Sequence, residues 1–68
     1  MEKVEYWLIY ELTDGERYID IFDCPREFED YKKNVLFLKD KITLWEERKK
    51  FFKGVIPAGS ELIRNTLP

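Results

Sequence analysis

Histidine is absent from the 68 residues, cysteine and serine occur once each, and glycine and proline three times each. Each scarcity removes a class of function. Without histidine there is no Ser-His-Asp or Cys-His relay, and the commonest general base is missing. With Cys24 the one thiol, a structural zinc site lacks nitrogen and sulfur ligands, and an internal disulfide has no second cysteine. Ser60 lies in a turn-like stretch with no activating base beside it. Gly15, Gly54 and Gly59 stand alone, so neither a P-loop nor a GxGxxG turn is present. The acids show no EF-hand spacing. Glu29-Asp30 and Glu46-Glu47 could serve a glycosidase only across a cleft that so short a chain scarcely builds. Long apolar runs are missing too, since nothing approaches the ~20 residues of a membrane span. Met1-Glu2-Lys3-Val4-Glu5 places acids where a signal peptide needs bases. These gaps predict a non-enzymatic protein without cofactor or metal, away from membranes. With cysteine so scarce, the expected location is cytoplasmic.

What the chain does have is aromatic surface: five Phe, four Tyr and two Trp. Large rings let a short chain bury much area, and residues 1–68 are read as a single small domain near the lower size limit for an unassisted core. Such a domain, lacking staples, is a natural candidate for association with a partner.

Thr13-Asp14-Gly15-Glu16 between two strand-like runs predicts a hairpin. A two-residue I′ turn at Asp14-Gly15 pairs Leu12 with Arg17, Tyr10 with Ile19, Leu8 with Ile21 and Trp7 with Phe22. Alternation then gives a core face of Val4, Tyr6, Leu8, Tyr10, Leu12, Ile19 and Ile21. The opposite face carries Trp7, Ile9, Tyr18 and Phe22 among Glu5, Glu11 and Asp20, too apolar for idle solvent contact.

Asp23-Cys24-Pro25 marks a helix start, with Asp23 as cap and acids in the first turn. Cys24 beside that start admits a reactive thiol, though a small residue at a helix entrance is the simpler account. Apolar or long side chains then recur at Phe28, Tyr31, Val35, Leu38, Ile42, Trp45, Lys49 and Phe52 in steps of three and four. A second stripe runs through Phe37, Leu44 and Phe51, and Gly54 suits the helix end. The expected α+β fold is therefore a hairpin, one long helix through residues 25–53, and a short C-terminal strand beside the hairpin. Two alternatives break the helix. Thr43-Leu44-Trp45-Glu46 has the form of a capping box for a second helix, and Val35–Leu38 with Ile42–Trp45 are competent short strands.

Residues 1–30 carry ten acids against three bases, and residues 31–68 four acids against nine bases. Helix polarity accounts for part of that split, and a partner surface for part. An unbroken helix of residues 25–53 would be about 43 Å long, against a domain diameter of roughly 28 Å. Its overhang predicts a homodimer. The expected function is protein–protein interaction, by a small regulator or inhibitor of the phage or mobile-element type. Its partner-binding residues are Trp7, Tyr18 and Phe22, rimmed by Glu5, Glu11 and Asp20, which steer a basic partner. The alternative is a nucleic-acid-binding module using the basic helix end at Arg48, Lys49, Lys50 and Lys53.

Overall fold

The first loop decides which side chains share a face. In the computed structural model, which describes residues 2–68, strands β1 (Glu2–Leu12) and β2 (Arg17–Phe22) are joined through Thr13–Glu16. The Gly15 N–H donates to the Leu12 carbonyl and the Leu12 N–H to the Glu16 carbonyl, both at 2.9 Å. Thr13 and Asp14 thus form a type I turn, and Gly15 at φ 90° closes it as a G1 bulge. The expected I′ turn would need Asp14 at positive φ, and among the described residues only glycines adopt it. Asp14 instead accepts the Glu16 N–H on Oδ1 at 2.9 Å.

That extra loop residue moves the register by one. Glu11 meets Arg17, Tyr10 meets Tyr18, Leu8 meets Asp20, Trp7 meets Ile21 and Tyr6 meets Phe22. A one-residue slip turns a whole strand over. Tyr18, Asp20 and Phe22 therefore share the face of Leu8 and Tyr10. The core placement expected for Ile19 and Ile21 is overturned, and each is 51% exposed on the other face.

The helix is also shorter than its periodicity suggests. Helix α1 spans Pro25–Val35, with Cys24 rather than Asp23 at the N-cap and no side-chain cap bond. Leu36–Lys41 continues as a 3-10 segment, then strands β3 (Ile42–Lys53) and β4 (Ile56–Arg64) follow. The long helix through residue 53 and the two-helix alternative are both overturned. The strand alternative holds for Ile42–Trp45 but not for Val35–Leu38, which is helical. Physically, a register irregularity opposite Glu11 and Leu12 inserts Thr43 into β3. Ile42 and Trp45, three residues apart, can then both point inward, at 9% and 3% exposure. This spacing imitates a helical step. Gly54 at φ 65° begins the two-residue loop Gly54-Val55 between β3 and β4, rather than ending a helix.

The result is α+β: one antiparallel sheet ordered β2-β1-β3-β4, with two strands before the helix and two after it. The strand beside the hairpin is β3, and the C-terminal β4 lies outside it as an edge, exposed at every residue. Helix α1 packs on one face of the sheet. Leu8, Tyr10, Phe28, Val35, Ile42 and Trp45 form the buried core there, with Tyr6, Phe22 and Tyr31 against it. Phe28 bridges the halves, its ring 5.6 Å from Tyr6 and 6.0 Å from Phe22. A helix of 11 residues is about 16 Å long and covers its sheet without overhang, so the overhang argument for a homodimer falls. The molecule measures 40 × 21 × 16 Å, long in the strand direction and thin across the sheet.

Candidate protein-binding face

The strand register divides the partner-binding residues expected from sequence between opposite faces of the sheet. Trp7, Glu5 and Glu11 lie on the face away from α1. Tyr18, Asp20 and Phe22 lie under or beside the helix. The Tyr18 ring stacks on Tyr10 at 5.1 Å, and Phe22 packs against Tyr31 at 5.2 Å. Asp20 Oδ2 is buried without a hydrogen-bond partner among the described residues. These six residues cannot act as one site.

The open face has a different membership. Trp7 and Ile9 of β1 stand beside Ile21 and Ile19 of β2, with which they pair directly. Leu44 of β3 and Leu62 of β4 extend the apolar surface at 36% and 43% exposure. No element covers this side. In a sheet with one solvated face the outward positions are normally polar, so an apolar quartet across two strands is surplus to folding. The sequence singled out Trp7 and Ile9 but missed Ile19 and Ile21. The signal that would have found them is Thr-Asp-Gly, which also suits the three-residue G1-bulge loop.

Around the quartet, opposite charges neutralise one another locally. Arg17 Nη2 lies 3.3 Å from Glu11 Oε2, Arg48 Nε 2.7 Å from Glu46 Oε2, and Lys3 Nζ 3.2 Å from Glu5 Oε2. Trp7 Nε1 donates to Glu5 Oε1 at 3.1 Å, and Lys50 Nζ sits 4.7 Å over the Trp7 ring. Glu5 and Glu11 are thus paired, and the acidic rim expected to steer a basic partner does not form.

The basic patch expected at a helix end is also dispersed, because its residues occupy a strand. Arg48 and Lys50 point to the open face. Lys49 points the other way, 5.8 Å from the Tyr6 ring centre and 5.5 Å from that of Phe51. Lys53 is exposed at the strand end opposite Glu2. Alternation prevents these four from making one basic surface.

Opposite the open face lies the one buried charge cluster of the described residues. Glu47, 1% exposed, accepts from Lys32 Nζ on Oε1 and from Trp45 Nε1 on Oε2, each at 2.7 Å. Lys32 also meets Glu29 at 2.9 Å and lies 4.8 Å over the Phe28 ring. Burial pulls the Lys32 pKa down, but the hydrogen bonds to Glu47 and Glu29 outweigh it and leave the pKa above its ordinary value. Tyr31 is held in its neutral form, first by its hydrogen bond with Tyr10, then by burial and by Asp20. The cluster fastens α1 to β3. Its carboxylate is already spent on two donors, and a shallow cleft of about 400 Å³ above it leads past Ile63 and Arg64 to solvent. No group of side chains suited to hold a metal occurs among the described residues, and none of their helices is long and apolar enough to cross a membrane.

Fold and face together define a small α+β domain with one side of its sheet left open. No protein-family model, no curated protein and no solved structure matches this chain.

Proposed function

We propose that this protein acts by contact, as a small non-enzymatic regulator or inhibitor that binds protein through the open face of its sheet. The observation that carries this reading is the adjacent quartet of half-exposed Ile19 and Ile21 with partly buried Trp7 and Ile9, overlaid by no helix or strand and flanked by ion pairs. An apolar centre within a polar rim is the anatomy of a protein interface, and a tryptophan at the centre is a frequent hot spot. The nucleic-acid alternative gains nothing here, because the bases are split between faces.

Footprinting tests the reading. Purified protein at high dilution and the same protein in its native lysate are labelled with a carbene or hydroxyl radical, and the modified residues are mapped. Trp7, Ile19 and Ile21 should be protected in the lysate, while exposed Phe37 on the far side should label equally in both. Equal labelling of all four would remove this face as a binding surface. Protection abolished by nuclease would transfer the function to nucleic acid.

A further inference from the structure

We propose that the partner on this face is a second copy of the chain, so that two sheets pack face to face into a sandwich. The inference rests on the reading of the open face as a protein-binding surface, and names its occupant.

Three features select a like partner. The first is charge. A face of one sign would repel its own copy and call for an opposite partner, whereas this face carries both signs, interleaved, with Lys3, Arg17 and Arg48 ion-paired and Lys50 held over the Trp7 ring. An isologous interface needs that property, since each patch meets itself.

The second is area. The strands hold 11, 6, 12 and 9 residues. At ~3.4 Å per residue and ~4.8 Å between strands, the sheet projects about 600 Å². The accessible area of a face studded with side chains exceeds its projection, which brings it near the ~800 Å² per partner of a standard stable interface. The third is surplus surface. A closed monomer of 8.3 kDa exposes about 4,600 Å², and this one exposes 5008 Å². Covering the open face removes that surplus. Two antiparallel sheets stacked about 10 Å apart are a common solution for apolar inner faces.

The experiment is sedimentation equilibrium on the purified chain at about 100 µM, above the micromolar-to-picomolar range of interfaces this size. The expected species is twice 8.3 kDa. Ile21→Glu places a charge within the apolar quartet, on the edge strand β2 beside Trp7, without touching the core. Its far-ultraviolet circular dichroism should match the wild type, while dimer association weakens at least about thirtyfold, the scale of a hot spot. Should Ile21→Glu lose its fold, Ile19→Lys makes the same test one pair along the strand. A wild-type monomer at that concentration overturns the proposal. If its face is still protected in lysate, the binding reading stands and the occupant is a different protein. A dimer that persists in folded Ile21→Glu places the contact elsewhere, with the β4 edge the next place to look, and also overturns the proposal.

Discussion

Lys32→Met is the sharpest check on the architecture, because it separates a buried ion pair from an ornamental one. Methionine retains much of the apolar stem over Phe28 and deletes the ammonium. Glu47 would keep only the Trp45 N–H, at 1% exposure. Removing one partner of a buried pair costs about 3–5 kcal/mol, since the remaining charge stays desolvated. A core this small supplies roughly 3–5 kcal/mol in all, so the variant should be largely unfolded in buffer. Adding Glu47→Leu should restore much of the loss. The unpaired charge goes, and the residual cost is the orphaned Trp45 N–H, about 1–3 kcal/mol. Urea titrations followed by circular dichroism measure the wild type and the double variant, with the slope checking that the same surface unfolds, and the single variant's signal in buffer gives its folded fraction. The reasoning fails if Lys32→Met loses less than about 1 kcal/mol, the worth of an exposed pair. It also fails if the double variant is no more stable than the single one.

Other substitutions probe the register. In the same urea assay, Leu8→Ala should cost about 2–5 kcal/mol, whereas Ile21→Ala, on the open face, should cost under about 1 kcal/mol to the monomer; equal losses would restore the alternative register. Gly15→Ala forces a Cβ into φ 90° although the space around it is empty, so a loss of about 1–2 kcal/mol would be pure backbone strain. Alkali should destabilise the fold. Lys32 and Tyr31 both have pKa values raised above the ordinary 10.5 and 10.0, so the folded state holds protons that the unfolded chain releases. Thermal stability from these two groups should be full below about pH 9 and fall as pH climbs beyond 10; a rise across that window would contradict the assignment.

The element boundaries show what sequence patterning can and cannot resolve here. The hairpin and its β1 core face, Tyr6, Leu8 and Tyr10, were legible because alternation is unambiguous within one strand. The face of β2 was not, because Asp-Gly fits two loop geometries that differ by one residue, and that residue decides the side of every following side chain. The region after Val35 was misread for a related reason. Trp45 and Lys49 occur at spacings that satisfy both a four-residue helical step and a two-residue strand step, and the insertion at Thr43 supplied the three-residue step. Counting Lys49 as part of an apolar stripe concealed the true alternation, Trp45, Glu47, Lys49 and Phe51. Within it lies Glu47, whose burial no pattern of hydrophobicity could announce. Of the candidate site, Trp7 was visible as an aromatic without a core to join, and its two isoleucine neighbours on β2 followed only once the loop was known.

The order of strands in the sheet bears on how the chain reaches this state. The two hairpins are local, closing around Gly15 and Gly54. The ladder that joins them pairs Leu12 with Ile42 at one end and Glu2 with Lys53 at the other, so it encloses all of β2 and α1. Closing that loop costs entropy before it yields contacts, and Phe28 and Val35 must already lie between the sheet and the helix when it closes. Docking of α1 and zipping of β1 against β3 should therefore be one event, and the slow one. Trp45, buried on that ladder opposite Tyr10 near its Ile42 end, would report it by fluorescence in stopped-flow refolding of Trp7→Phe. Strand β4 touches the sheet through β3 alone and can add after the barrier is crossed, so substitutions along it should hasten unfolding and leave the refolding rate unchanged.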